Sequence, residues 1–175
     1  MANAEDVSKP LAGGDIAKLV SIFTNDDGVE RRKARLAIEE IGKPAVPALI
    51  SALSDKKAQV RWEAARALGA IQDPQAAPAL VQALMDVSFE IRWLAAEGLI
   101  ALEDEALVPL LKALEDESDS VDLRAGAHHV LHALERSKKL NEPTLKVLNA
   151  IRSMEPDIAI PGAAFEALQS LKGRK

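Results

Sequence analysis

Val60-Arg61-Trp62-Glu63-Ala64-Ala65-Arg66-Ala67-Leu68-Gly69 returns 31 residues later as Ile91-Arg92-Trp93-Leu94-Ala95-Ala96-Glu97-Gly98-Leu99-Ile100. Pro47-Ala48-Leu49 returns at the same offset as Pro78-Ala79-Leu80, and Ala52-Leu53 returns as Ala83-Leu84 and Ala113-Leu114. Upstream, Arg31 and Ala34 match Arg61 and Ala64; downstream, Leu123-Arg124 and Ala127 match at an offset of 32. A sustained period of this length is the mark of a repeat architecture.

Each unit reads as two helices. Val60, Ala64, Leu68 and Ile71 lie at helical spacing and form one apolar stripe. Gln72-Asp73-Pro74 interrupts it, because proline cannot continue a helix interior. Ala76, Ala79, Leu80, Ala83 and Leu84 then form a second, shorter stripe. Acidic turns at Asp26-Asp27-Gly28, Ser54-Asp55, Asp86 and Asp116 to Ser120 are placed to cap the helix that follows. Helix pairs this short bury their faces only by stacking on neighbours. The fold expected is an all-α, right-handed solenoid of about four two-helix units with a C-terminal capping helix. A leading helix is expected at 15–23, and units at 26–53, 54–84, 85–114 and 115–153. A linker and capping helix fill 154–175, with Glu155-Pro156 to Ile160-Pro161-Gly162 as the linker, and residues 1–14 read as a mobile tail.

Composition agrees: the 175 residues include 31 Ala and 23 Leu but only 3 Phe, 2 Trp and no Tyr, which favours helix over strand. With no Cys, disulfides, thiolate nucleophiles and thiolate metal sites are excluded. No apolar run approaches the roughly 18 residues a membrane span needs. Met1 to Gly14 carries Glu5 and Asp6 without a basic, apolar leader, so a cytoplasmic protein is expected. Residues 85–122 carry 11 acidic and 2 basic side chains, which would repel phosphate and argues against nucleic acid as a partner. The basic run Arg31-Arg32-Lys33-Arg35 reads as a solvated helix face.

The pattern of aspartate, turn, Val-Arg-x-x-Ala-Ala-x-Ala-Leu-Gly and Pro-Ala-Leu resembles HEAT repeats, and within them the short type named after phycobilisome lyase subunits. Asp55, Val60-Arg61, Ala64-Ala65, Ala67-Leu68-Gly69 and Pro78-Ala79-Leu80 carry the resemblance. It implies that residues flanking the Val-Arg pair line a variable partner-binding surface. Carried over by position, that surface holds Arg32, Lys33 and Leu36, then Trp62, Glu63 and Arg66, then Trp93, Leu94, Glu97 and Ile100, and fades at Ala125 and His129.

Helix phase agrees for the two indoles. At about 100° per residue, Trp62 falls about 200° from Val60, whereas the core stripe centres about 30–40° from it. Outward Trp edged by Arg is the composition of a hot spot, where truncation costs about 2 kcal/mol or more. The main expectation is therefore a non-enzymatic scaffold or adaptor that binds a protein through Trp62, Trp93, Leu94 and Ile100, edged by Arg32, Arg66, Glu63 and Glu97, with no cofactor. An apolar outer face in the third unit leaves self-association open. Bilin lyase subunits share the repeat, so the resemblance implies an alternative: a lyase-like or lyase-accessory protein whose indole face stacks on a tetrapyrrole.

Arg31, Arg61, Arg92 and Arg124 form a column beside the stripe and read as structural ion-pair partners of turn carboxylates such as Asp55 or Asp86. His128, His132 and Glu135 share a helix face with the spacing of a two-His, one-carboxylate metal set, a further alternative. The resembling di-iron hydroxylases place His-Glu pairs after the repeat arginine; Trp62-Glu63 and Trp93-Leu94 stand there instead, so that enzyme is not expected. No phosphate loop or nucleophile elbow is present.

Overall fold

The structure, a computed structural model, describes residues 14–172. Its helices are α1 (Gly14–Ile22), α2 (Gly28–Ile41), α3 (Val46–Ala52), α4 (Ala58–Ile71), α5 (Ala77–Ala83), α6 (Phe89–Leu102), α7 (Leu107–Asp116), α8 (Val121–Arg136), α9 (Glu142–Ile151) and α10 (Pro156–Lys172). No strand occurs among the described residues. The expected tail lies outside them, apart from Gly14, which opens α1.

The long helices α2, α4, α6 and α8 stack side by side, and the short helices lie beneath them: α3 packs on α4, α5 on α6, and α5 on α7. The all-α solenoid read from the repeat is the observed fold. Val60, Ala64, Leu68 and Leu80 are buried in the second unit, as Ile91, Ala95, Leu99 and Leu110 are in the third. Small residues permit the stacking. A β-carbon built on Gly69 would lie 3.4 Å from the Gly98 Cα, so α4 and α6 approach through two glycines.

The acidic turns work differently from one another. Asp27 caps α2, its carboxylate accepting the Val29 N–H at 2.8 Å. Asp55 and Asp86 instead accept from Lys57 and Ser88 N–H, at 2.7 and 2.8 Å, and shape the turn before the helix starts. The caps of α4 and α6 are Lys57 and Ser88, without a side-chain bond. The expectation of aspartate caps on α4 and α6 is thus corrected: these are Asx turns.

The C-terminal end departs further. The run expected as a linker is helical from Pro156, which is tolerated at a helix start. Pro161 lies inside α10 and has no N–H to offer the Asp157 carbonyl; Ser118 Oγ donates to that carbonyl at 3.3 Å. Ile160, Ala164, Ala167 and Leu168 are buried as α10 packs on α7 and α9, which overrides the breaker signal. It is α10, not the expected second helix of the fourth unit, that lies on α7; α9 packs on α8 and α10.

Candidate functional site

Two surfaces hold the predicted residues, and they differ. Between α2 and α4 lies a cleft of about 670 Å³. From α2 it receives Arg31, Arg32 and Arg35, with Leu36 and Glu39; from α4 it receives Trp62, Glu63 and Arg66. Helical spacing explains the grouping: Arg31 and Arg35 are one turn apart on the side of α2 that faces α4, and Trp62 and Arg66 are one turn apart on α4.

Within the cleft the charges are unequally tied. Arg35 is only 7% exposed and donates from Nε to Glu63 Oε2 at 3.1 Å, with a second bond to Glu39. Glu63 is 4% exposed, and its other oxygen lies 3.4 Å from Arg31 Nε. Arg31 Nη1 donates to the carbonyls of Asn25 and Asp26 at 2.8 and 2.9 Å, yet its Nε makes no hydrogen bond although it is buried. The Arg66 guanidinium sits 5.3 Å from the Trp62 ring centroid. Arg32 and Arg66 are exposed and have no carboxylate partner among the described residues.

The second surface is an open patch on α6. Phe89 is 63% exposed and Trp93 48%, with ring centroids 6.4 Å apart. His129 of α8 lies 4.7 Å from the Trp93 ring, and its Nε2 is 3.0 Å from Glu97 Oε1. Leu94 and Ile100 are half-buried against the core beneath the patch.

The predicted face is therefore not one surface of outward side chains. Trp93, Glu97, Arg32 and Arg66 are exposed, whereas Trp62, Leu94 and Ile100 are half-buried and packed on the core. Glu63 is buried and cannot meet a partner. The reason is stacking: a central helix is covered on its flanks by α2 and α6, not only from below, so a residue off the core stripe can still be enclosed. One signal was available. Glu63 is the single acid in α4, and Arg31 and Arg35 are spaced to receive it.

The arginine column forms a ladder. Arg61 binds its own turn through the Asp55 and Lys56 carbonyls and reaches forward to Asp86 with bonds of 2.6 and 2.9 Å. Arg92 donates to the Asp86 carbonyl and lies 3.4 Å from Asp122. Arg124 donates to the Ser118 carbonyl and to Asp157 of α10. Burial pushes the Asp86 carboxyl up, but hydrogen bonds from Arg61 and the Ser88 N–H outweigh it and hold Asp86 below its ordinary range. The same bond raises Arg61.

The histidine set is otherwise engaged. Arg152 Nε donates to His128 Nε2 at 3.0 Å, and the His128 and His132 rings stack with centroids 5.9 Å apart. Burial, followed by the Arg152 charge, lowers the His128 pKa. Among the described residues no three His, Asp or Glu side chains are grouped as a metal set, and Glu135 does not complete one with His128 and His132.

Comparison with known proteins adds a family and a fold. The family described as HEAT repeats matches residues 16–100, and the PBS lyase HEAT-like repeat matches residues 91–116. No curated protein matches. A chain in the complex of CpcE and CpcF of phycocyanin lyase from Nostoc sp. PCC7120 matches with 25% identity and a TM-score of 0.59, over 87% of this chain and 99% of that one. An engineered protein matches with 22% identity and a TM-score of 0.44, over 87% of this chain and 77% of that one. The likeness to a phycocyanin lyase chain, together with the lyase-type repeat, overturns the expectation of a non-enzymatic protein. Among the described residues no helix is long and apolar enough to cross a membrane.

Proposed function

Since the chain is a HEAT-repeat protein of the phycobilisome-lyase-like type, we propose that it serves as a lyase-type subunit handling a bilin chromophore. The observation that carries this reading is the likeness to a chain of the phycocyanin lyase complex, which spans nearly all of that chain and most of this one. A fold alone does not set a function, so the reading draws equally on the two surfaces. The α2–α4 cleft offers an indole wall and cationic groups, as a flat, acidic chromophore requires. The patch of Phe89 and Trp93, edged by Glu97 and His129, offers exposed aromatic anchors for a protein. In this reading Trp93 docks a second chain or the acceptor protein, with Leu94 and Ile100 bracing it from below.

The test uses tagged protein recovered from its own cells with whatever chain accompanies it. It is mixed with a linear tetrapyrrole and an apo-phycocyanin subunit, and visible absorbance retained by the acceptor after denaturing electrophoresis is followed in time. Loading at least about tenfold faster than without the protein supports the proposal. Loading no faster than the uncatalysed mixture sinks it. Trp93→Ala should lose the accompanying chain while leaving the circular dichroism spectrum unchanged.

A further inference from the structure

A second cavity, of about 290 Å³, lies at the joint between α4 and α6. Ala58 and Trp62 of α4 and Ile91 of α6 give it carbon walls, and Ser88 and Glu90 stand on its α6 side. The polar groups at its inner end are already engaged. Gln59 Nε2 donates to the Phe23 and Asn25 carbonyls at 2.9 and 2.7 Å, and Glu63 lies between Arg31 and Arg35. The space left to fill is therefore apolar. Small-molecule sites run from about 300 to 1,000 Å³, so a cavity at the foot of that range suits a single side chain better than a whole ligand.

The cavity opens beside the aromatic patch: Glu90 lines it, Phe89 precedes Glu90, and Trp93 follows one turn on. Val87 and Val121, at the starts of α6 and α8, are exposed as well. Large apolar side chains exposed in one region mark an interaction surface. The charge beside them has one sign, since residues 85–122 carry 11 acidic and 2 basic side chains. Glu90 accepts from Ser88 Oγ at 2.7 Å and Glu97 meets His129 at 3.0 Å; neither pairs with Lys or Arg among the described residues. Arg92, the one basic residue of α6, is tied to the Asp86 carbonyl and lies 3.4 Å from Asp122. On the opposite wall, exposed Lys56 and Lys57 precede Ala58, so the excess negative charge sits on the α6 side. Carboxylates beside an indole favour a cation, which gains from both, and they repel phosphate.

Resting on the reading that this patch docks a protein, we propose that the α4–α6 cavity and the patch form one groove for a basic segment of that partner. An apolar side chain of the segment enters the cavity against Trp62. A neighbouring lysine or arginine lies over Trp93, between Glu90 and Glu97. Charge complementarity of this kind selects the partner and speeds its encounter.

The test reads the anisotropy of fluorescein-labelled, end-capped peptides mixed with the full chain. One peptide carries a leucine among lysines; a second has glutamates for the lysines, and a third has serine for the leucine. The first should bind, less tightly as salt rises, and the other two should bind at least about tenfold more weakly. Ala58→Phe fills the cavity from an exposed position and should weaken the first peptide about tenfold. Glu90→Lys and Glu97→Lys, both exposed, should each do the same with an unchanged thermal melt. Failure of the leucine–lysine peptide to bind, equal binding of the glutamate peptide, or wild-type affinity in a folded Ala58→Phe would overturn the groove. Should Ala58→Phe melt early, the lysine variants decide, and wild-type affinity in both overturns it. A Trp93→Ala protein that sheds its accompanying chain, while Ala58→Phe, Glu90→Lys and Glu97→Lys all retain theirs, would reject the groove and leave the docking reading. Peptide binding with these dependences, in a protein whose Trp93→Ala form keeps that chain, would reject docking of the chain at Trp93 and leave the groove.

Discussion

Trp62 and Trp93 stand at the same place in successive repeats, yet one lines a charged cleft and the other an open aromatic patch. Their own helices do not explain this, because α4 and α6 share length and phase. The neighbours do. Beside Trp62, α2 brings three arginines and a leucine; beside Trp93, α8 brings His129. In a stacked array the environment of a side chain is written partly in the preceding and following repeats. The repeat thus fixes a scaffold and lets each joint vary.

The comparison first requires that the two cores be equivalent. Leu68→Ala and Leu99→Ala should each cost about 2–5 kcal/mol, and the two losses should agree within about 1 kcal/mol because both leucines are fully enclosed. Urea denaturation measures them. A near-neutral result at either position would mean that the two repeats differ in their foundations and not only in their flanks.

The joints should differ more than the cores. The Arg61–Asp86 rung is nearly enclosed, whereas the Asp122 carboxylate opposite Arg92 is half exposed. Asp86→Ala should cost about 2–3 kcal/mol, because the largely buried Arg61 guanidinium keeps its Asp55 and Lys56 carbonyls but loses both bonds to the carboxylate. Asp122→Ala should cost less than about 1 kcal/mol. The pH dependence has a definite sign. Asp86 is held below its ordinary range when folded, so its contribution is complete above the unfolded carboxylate value of about 3.9. It is lost as pH falls through the lower folded value. Wild type should therefore lose more stability than Asp86→Ala on acidification below about pH 4, as read by urea midpoints at successive pH values.

The repeat period, the helix pairs and the core stripe were legible in the sequence, because periodic burial in a solenoid follows from each helix alone: Val60, Ala64 and Leu68 needed no neighbour to be placed. The arginine ladder was legible as well, since Arg61 and Asp86 recur with the period. What was not legible depended on contacts between units. Glu63 lay off the core stripe and read as outward, yet α2 encloses it with Arg31 and Arg35. The cleft was missed for the same reason: its arginines looked like a solvated run until α4 set Trp62 against them. The end of the array was misread because Pro156 and Pro161 mark a break locally, while the buried face of α10 decides otherwise.

The two indoles give the most direct probe of the contrast between cleft and patch. Trp62 packs on the core and under Arg66, so Trp62→Ala should cost about 1–2 kcal/mol; Trp93, 48% exposed, should cost about half as much. Fluorescence separates them without a stability measurement, since the protein has no Tyr. The Trp62→Phe variant reports Trp93 and should emit further to the red, with stronger acrylamide quenching. The Trp93→Phe variant reports Trp62 and should emit to the blue of it, with weaker quenching. Equal spectra would erase the distinction between cleft and patch. A blue-shifted, protected Trp93 that turns red on dilution would identify its partner as a second copy of the chain, and would assign the open patch to self-association.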